Sequence, residues 1–150
     1  MDHILLHGSP GLGKTTLAHI MAREMNAQIR ITSGPAIEKQ GDLAALLSNL
    51  QANDILFIDE IHGLSKKSSD ALLKATERTD AFLFGKDTSL NCRNILFIGA
   101  TTDWGKLSPP LRSRFLKIDL IPPTFEEVVQ IIKLNNKDWN VDVCRKIVFY

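Results

Sequence analysis

A chain of 150 residues with a formal net charge of +1 has the length of one domain at most. Hydrophobic residues make up 44% of the chain and charged residues 23%, which rules out a disordered or collagen-like protein. The net charge near zero argues against nucleic-acid binding by bulk electrostatics alone and leaves room only for a local basic patch.

The cysteines and apolar runs indicate the compartment. Cys92 and Cys144 are the only cysteines and form no C-x-x-C pair, which favours reduced thiols over a disulfide framework or a zinc site. No apolar run approaches the ~18–20 residues that span a bilayer. The first residues lack the basic and apolar regions of a signal peptide. We therefore expect a cytoplasmic protein with no membrane contact.

Apolar runs alternate with helically spaced apolar residues along the chain. The predicted elements, in chain order, are a strand over 3–7, a helix over 14–25, a strand over 27–32, a helix capped by Asp42, a strand over 55–58, a helix opened by Ser69-Asp70, strands over 95–98 and 115–120, a helix after Thr124 and a helix over 141–150. Strands without polar alternation are typical of a parallel sheet that is buried on both faces. We therefore predict an α/β domain with a mostly parallel sheet.

Two further segments carry local signals. Residues 80–94 give an ambiguous pattern, in which the piece A-F-L-F-G-K-D-T-S-L is compatible with a hairpin whose turn lies near 85–87. Thr124, followed three residues later by Glu127, has the pattern of a capping box at the start of a helix. The first strand begins almost at once and the last helix pattern stops without a cap, which we interpret as a fragment of a longer protein.

Residues 8–15 (G-S-P-G-L-G-K-T) fit the phosphate-binding pattern G-x-x-x-x-G-K-[ST] at every position. A phosphate chain needs several backbone N–H groups converging on it, and glycines let the backbone wrap that closely, so we prefer this reading to a glycine-rich turn. The following helix adds the positive end of its dipole. Lys14 then serves the β- and γ-phosphates, and the Thr15 hydroxyl serves Mg²⁺. The predicted nucleotide-binding residues are Gly8, Ser9, Pro10, Gly11, Leu12, Gly13, Lys14, Thr15 and Thr16.

Asp59 and Glu60 follow the third predicted strand. An adjacent Asp-Glu pair is by itself more often a solvated turn. Because open α/β sheets bind ligands at the carboxyl ends of their strands, a phosphate-binding loop in the same chain favours a catalytic role for the pair. Asp59 then holds Mg²⁺ through water, and Glu60 polarises the attacking water.

Three polar sites elsewhere have two readings each. The Thr101-Thr102 pair, at the end of the fourth predicted strand, is either an ordinary strand-end pair or supplies a side chain that contacts the γ-phosphate or its water. Arg112 and Arg114, before the fifth strand, form either a solvated loop or a guanidinium contact to a phosphate. His62 is either a structural histidine near the site or a sensor.

These elements, in this order, resemble the AAA+ ATPases, and longer matches resemble the RuvB family of branch-migration motors. The matching stretches are G-L-G-K-T-T-L-A, T-S-G-P-A-I-E-K-Q-G-D-L-A-A-L-L, I-L-F-I-D-E-I-H-G-L, I-G-A-T-T and P-L-R-S-R-F. The block over 32–47 discriminates most, because it carries no generic phosphate chemistry. The resemblance runs from about residue 2 to 115 and fades beyond Pro122.

The resemblance implies a P-loop sandwich of about five parallel strands in the order 5-1-4-3-2, with a large subdomain over 1–122 and the beginning of a helical lid over 123–150. It implies a homohexameric ring that hydrolyses ATP with Mg²⁺ and pulls the arms of four-way DNA junctions in recombination and repair, loaded by a RuvA partner. By the same resemblance, Thr102 takes the sensor position and Arg114 the arginine finger that enters the neighbouring subunit's site, with Arg112 as second candidate.

The chain also departs from the family pattern. The segment that helps hold adenine before the first strand is absent, and most of the lid and the DNA-binding winged helix would follow Tyr150. The region 80–94 is several residues shorter than the hairpin that docks RuvA, and Asp103-Trp104 replaces the usual Arg-Ala. Two alternatives therefore stand beside the motor: an AAA+ ATPase of another class, such as a clamp loader, and a nucleotide-binding fragment without turnover.

Overall fold

The computed structural model describes residues 3–77, 80–84, 88–92 and 94–148. The chain divides after Leu120 into two compact units. Within the described ranges, no helix has the length and apolar character needed to cross a membrane.

The first unit carries most of the secondary structure. Its elements are β1 (His3–His7), α1 (Lys14–Glu24), β2 (Ile29–Ser33), α2 (Gln40–Ser48), β3 (Ile55–Asp59), α3 (Lys66–Ala75), β4 (Asp80–Phe84), β5 (Thr88–Asn91), β6 (Leu96–Thr101), α4 (Pro109–Arg112) and β7 (Phe115–Asp119). Short 3-10 turns lie at Ile61–Gly63 and Trp104–Lys106. The second unit contains α5 (Phe125–Asn135) and α6 (Val141–Val148).

Five of the strands form a single parallel sheet in the order β2-β3-β6-β1-β7. This confirms the α/β class and the strand order that the family resemblance implies. Strand β6 pairs with β1 on one side and with β3 on the other. The carboxyl ends of these three strands therefore meet at one edge of the sheet.

Apolar side chains fill both faces of the sheet. Along β3, Leu56 and Ile58 belong to one buried cluster, while Ile55 and Phe57 belong to another that includes Ala18 of α1. Successive strand residues point to opposite faces, so a strand covered on both sides needs an unbroken apolar run. Each large side chain buried in this way contributes about 1.5–3 kcal/mol. The run I-L-F-I is thus explained by the burial of both faces of β3.

Strands β4 and β5 form a separate antiparallel pair, in which Asp80 lies opposite Asn91. The predicted hairpin is therefore confirmed in its strands. The predicted turn over 85–87 lies outside the described residues.

The starts of two helices differ from prediction. Helix α2 begins at Gln40, so Asp42 is not its N-cap; Asp42 Oδ2 accepts a hydrogen bond from the backbone N–H of Lys39 at 2.9 Å. Helix α3 begins at Lys66, three residues before the predicted start. Its N-cap is Ser65, whose hydroxyl accepts from Ser68 N–H at 3.2 Å and donates to the carbonyl of Glu38 at 3.2 Å. In each case a side-chain oxygen accepts a hydrogen bond from a backbone N–H at the start of the helix, a contact that apolar spacing does not encode.

The second unit begins with the predicted capping box. The backbone N–H of Thr124 donates to Glu127 Oε2 at 2.7 Å, and the Thr124 hydroxyl accepts from Glu127 N–H at 3.4 Å. The first of these bonds, with help from the Thr124 hydroxyl, holds the pKa of Glu127 below its ordinary value. Arg145 of α6 lies 3.4 Å from Glu126 of α5 and links the two helices.

Candidate functional site

The loop between β1 and α1 has the backbone of a phosphate cradle. Gly11 and Gly13 adopt left-handed conformations, with φ of 81° and 77°. Residues other than glycine rarely adopt these backbone angles, which explains the two glycines. Helix α1 begins immediately afterwards at Lys14, so its unpaired N–H groups and its positive dipole end face the loop.

Gly8 anchors the start of this loop against two neighbouring strand ends. Its N–H donates to the carbonyl of Thr101 at 3.2 Å, and a Cβ added to it would lie 2.7 Å from the carbonyl oxygen of Leu120. A side chain at this position would push the loop away from the sheet. The glycine is therefore required by a close approach of backbones.

Lys14 lies across the mouth of the loop. Its ammonium donates to the carbonyl oxygens of Gly8 and Ser9, both at 2.8 Å. An ammonium has three N–H donors, and these bonds use two of them. The loop backbone thus holds the charge where a phosphate chain in the cradle would meet it.

Asp59 and Glu60 stand at the carboxyl end of β3, as the sequence predicts. Asp59 is partly buried, and its Oδ1 accepts from the backbone N–H of Glu60 at 2.9 Å. Glu60 is exposed and has a left-handed backbone, with φ of 45° and ψ of 44°. This conformation is uncommon outside glycine, asparagine and aspartate and is typical of positions that the surrounding structure constrains.

The constraint on Glu60 comes from the segment that follows β2. The N–H of Gly34 donates to the carbonyl of Asp59 at 2.7 Å, and a Cβ on Gly34 would collide with the carbonyl oxygen of Glu60. A Cβ on Gly63 would lie 2.8 Å from the ring of Pro35. The T-S-G-P block therefore packs against the Asp59–Gly63 segment and fixes its path.

The end of β6 is tied to the same segment. His62 Nδ1 lies 2.8 Å from the hydroxyl oxygen of Thr101, which is buried and also accepts from the N–H of Asp103 at 3.0 Å. Of the two readings of His62, the structure therefore supports a structural bond next to the site. Thr102, the neighbour of Thr101, is exposed.

These parts meet in one cleft of about 480 Å³. It is lined by Pro10, Gly11, Gly13, Lys14, Thr15, Thr16, Ser33, Asp59, Glu60 and Thr102. Nine of these ten residues were predicted from the sequence, and Ser33 was missed. Its signal was available only in the pairing, because Ser33 is the last residue of β2 and lies opposite Asp59. The predicted residues Gly8, Ser9 and Leu12 do not line the cleft, although Gly8 and Ser9 bind Lys14.

The two arginines have different surroundings, and neither lines this cleft. Arg112 donates through Nε to the carbonyl of Leu107 at 2.8 Å and through Nη2 to that of Gly105 at 2.5 Å. Arg114 is half-exposed and lies 3.2 Å from the carboxylate of Glu77. Arg112 therefore holds its own loop together, while Arg114 is presented at the surface.

Comparison with known proteins agrees with this geometry. A family model described as the Holliday junction DNA helicase RuvB P-loop domain matches residues 1–120. The chain is 51% identical over 138 residues to the Holliday junction branch migration complex subunit RuvB of Dehalococcoides mccartyi. That match covers 88% of this chain and 40% of the relative.

Solved structures give the same result. The Thermotoga maritima RuvB Holliday junction branch migration motor superposes with a TM-score of 0.83 at 44% identity, over 99% of this chain and 48% of that one. A point mutant of the same protein gives a TM-score of 0.87 at 42% identity, over 99% and 49% of the two chains. The chain thus spans half or less of the length of these relatives.

Proposed function

Because this chain belongs to the RuvB P-loop domain family, we propose that its cleft binds Mg-ATP and hydrolyses it to drive the branch migration of Holliday junctions. The observation that carries the proposal is the convergence of Lys14, Thr15, Asp59, Glu60 and Thr102 on one cleft. Three separate strand ends supply these residues, and phosphoryl transfer needs each of the corresponding functions at one γ-phosphate.

The residues present fit a magnesium ion. Thr15 offers a hydroxyl and Asp59 a carboxylate on the same cleft, and Mg²⁺ is commonly held by one or two such groups together with phosphate oxygens and water. Among the described residues, no group of three or more His, Cys, Asp or Glu side chains is arranged to hold a metal. With a nucleotide bound, Thr15 and Asp59 would hold the ion, and it would supply positive charge to the phosphates.

We assign the remaining roles to the chain's own side chains. The glycine loop and Lys14 bind and orient the phosphates, at the site where the loop carbonyls already hold the ammonium. Glu60 orients and polarises the attacking water as a general base. Thr102 contacts the γ-phosphate or that water from the end of the middle strand, β6.

The arginine finger is proposed to act between subunits. Arg114 lies outside the cleft of its own chain and is half-exposed beside Glu77, so it is available to a neighbouring copy. Arg112 is committed to the carbonyls of Leu107 and Gly105, which favours Arg114 of the two. This arrangement supports a homo-oligomeric ring, which we propose to be a hexamer.

The finer features follow from family membership and remain proposals. We propose a cytoplasmic protein, a large ATPase subdomain over 1–122, and lid helices over 123–150. The DNA partner that we propose is a four-way junction. The short region 80–94 argues against a RuvA-like partner. The match to the RuvB family argues against the alternative of a clamp-loader ATPase. A nucleotide-binding module without turnover keeps one argument, since Arg114 does not reach its own cleft.

The test separates binding from turnover. Lys14→Ala should abolish tight Mg-ATP binding, because it removes the charge held at the phosphate cradle. Glu60→Gln should retain binding and slow hydrolysis by ~10²–10⁴-fold, the usual contribution of a general base. Calorimetry measures the first and phosphate release the second. Equal turnover in Glu60→Gln and the parent protein would remove Glu60 from the mechanism, and unchanged ATP affinity in Lys14→Ala would contradict the proposed site.

A further inference from the structure

We propose that His7, Asp119, Lys117 and Trp104 form a positioning bridge that ties the nucleotide-binding loop to the loops of Thr102 and Arg114. Through this bridge, Trp104 registers occupancy of the cleft. The inference rests on the proposed function, since it requires that the cleft bind a nucleotide. It assigns a role to Trp104, which the proposed function leaves unused.

The bridge starts at the phosphate-binding loop. His7 is the last residue of β1 and directly precedes Gly8, and in the parallel pairing it lies opposite Asp119, the last residue of β7. His7 Nδ1 is 2.6 Å from Asp119 Oδ1. An ionised carboxylate only accepts hydrogen bonds, so this contact assigns the proton to Nδ1. Strand pairing already fixes both backbones, and little conformational freedom is lost in making the bond.

Asp119 also forms an ion pair with Lys117. Lys117 lies on the same side of β7, two residues earlier, and its Nζ is 2.7 Å from Asp119 Oδ1. The hydrogen bond from Lys117, together with that from His7, holds the pKa of Asp119 below its ordinary value. Asp119 therefore keeps its negative charge at neutral pH and holds both partners.

Trp104 contacts both Lys117 and Arg112, and so connects the ion pair to the loops of Thr102 and Arg114. The Lys117 ammonium lies 5.3 Å from the centroid of the Trp104 ring, and the Arg112 guanidinium lies 5.5 Å from it. Both distances are within the range of cation–π attraction. Trp104 is partly buried against the core, two residues after Thr102 in the chain, and Arg112 stands two residues before Arg114. A single indole is thus in contact with both loops.

An isolated surface ion pair would carry no such inference, because exposed pairs contribute about 0–1 kcal/mol. The difference here is continuity. Contacts run without a gap from the residue that precedes Gly8 to the indole between the Thr102 and Arg114 loops. A shift of the loop start on binding phosphates would move His7, and the chain of contacts would transmit that shift to Trp104.

The chain offers a direct spectroscopic test. It has two tryptophans, so Trp139→Phe leaves Trp104 as the only indole. In this background, Mg-ATP should change the Trp104 emission, because indole fluorescence responds to nearby charges. Asp119→Asn removes the negative charge at the centre of the bridge without touching the indole, and it should abolish most of this change while calorimetric ATP affinity is retained. Lys117→Met should do the same, and Lys117→Arg, which keeps the cation, should preserve the response.

The matched control is Asp103→Asn. Asp103 is adjacent to Trp104 and pairs with Lys106 at 3.4 Å, outside the bridge, so this variant should keep the ATP response. A full response in Asp119→Asn and Lys117→Met would overturn the inference, as would ATP binding without any change in Trp104 emission. Absence of ATP binding by calorimetry in the parent chain would overturn the proposed function itself and the inference with it.

Discussion

Two arginines two residues apart look equivalent in the sequence and differ in their contacts. Arg112 satisfies two backbone carbonyls of its own loop and lies over Trp104, whereas Arg114 makes one exposed contact with Glu77. Hydrogen bonds from a charged donor contribute more to stability than an exposed ion pair does. At the scale of single residues, Arg112 holds its own loop together, whereas Arg114 lies exposed at the surface with one ion pair.

We therefore predict that the two arginines differ in how much they contribute to stability. Arg112→Ala should lower the free energy of unfolding by ~1.5–3 kcal/mol, because two carbonyls lose a charged donor. Arg114→Ala should change it by less than ~1 kcal/mol, the range of an exposed pair. Urea denaturation of the two variants measures both values. If Arg114→Ala proved the more destabilising of the two, the division of roles would be wrong.

At the scale of elements, the end of β2 sets the path of the chain after β3. The Glu60 carbonyl lies so close to Gly34 that a side chain at Gly34 would collide with it. Gly63 packs equally closely against the ring of Pro35 in the same interface. Glu60 has left-handed angles in this interface. The block over 32–35 therefore acts on the site by shaping the segment that carries the proposed general base.

Gly34→Ala should disturb this interface. Its new methyl group would collide with the carbonyl of Glu60 and cost about 1–3 kcal/mol of stability, as overpacking usually does. We also expect hydrolysis to fall more than ATP binding, because Glu60 moves and Lys14 does not. Gly105→Ala is the control, since its Cβ would meet only the flexible Asp103 side chain, at 3.1 Å. Equal stability and turnover in the two variants would show that the Gly34 contact does not matter.

At the scale of the whole molecule, the sheet order decides which residues share a site and which do not. Thr102 follows β6, between the strands of the phosphate-binding loop and of Asp59, and so lines the cleft. Arg114 precedes β7, at the edge of the sheet and at the amino end of its strand, and lies outside the cleft. One chain therefore carries a cleft and, elsewhere on its surface, an exposed arginine that we propose acts on the cleft of another copy.

Mixing two inactive variants tests this division. In the assembled ATPase, Arg114→Ala should reduce turnover by ~10³–10⁵-fold, as loss of an arginine finger does in other P-loop systems, and should leave ATP binding intact. Lys14→Ala should be inactive through loss of binding. In mixed assemblies, a Lys14 from one variant can meet an Arg114 from the other, so part of the activity should return. No recovery in assemblies that mass photometry shows to be mixed would exclude action of Arg114 in trans.

The sequence by itself determined the local parts of this protein. The glycine pattern of residues 8–15 dictates a phosphate-binding loop, because Gly11 and Gly13 take backbone angles that other residues rarely adopt. Unbroken apolar runs such as I-L-F-I dictate strands covered on both faces, and place Asp59 at a strand end. The Thr124 capping box is local in the same sense. The strand order came from family resemblance and not from these patterns.

Only the tertiary structure decided the rest, because it depends on residues far apart in the chain. The pairing of β2 with β3 brought Ser33 into the cleft, and the close approach of backbones explained Gly34. The bond between His62 and Thr101 joins residues 39 positions apart, a contact that no local pattern predicts. The starts of α2 and α3 likewise depended on side-chain hydrogen bonds to the first backbone N–H groups rather than on apolar spacing. The periodicity of apolar residues indicates which face of an element is buried, but only the tertiary packing determines which residues that face contacts.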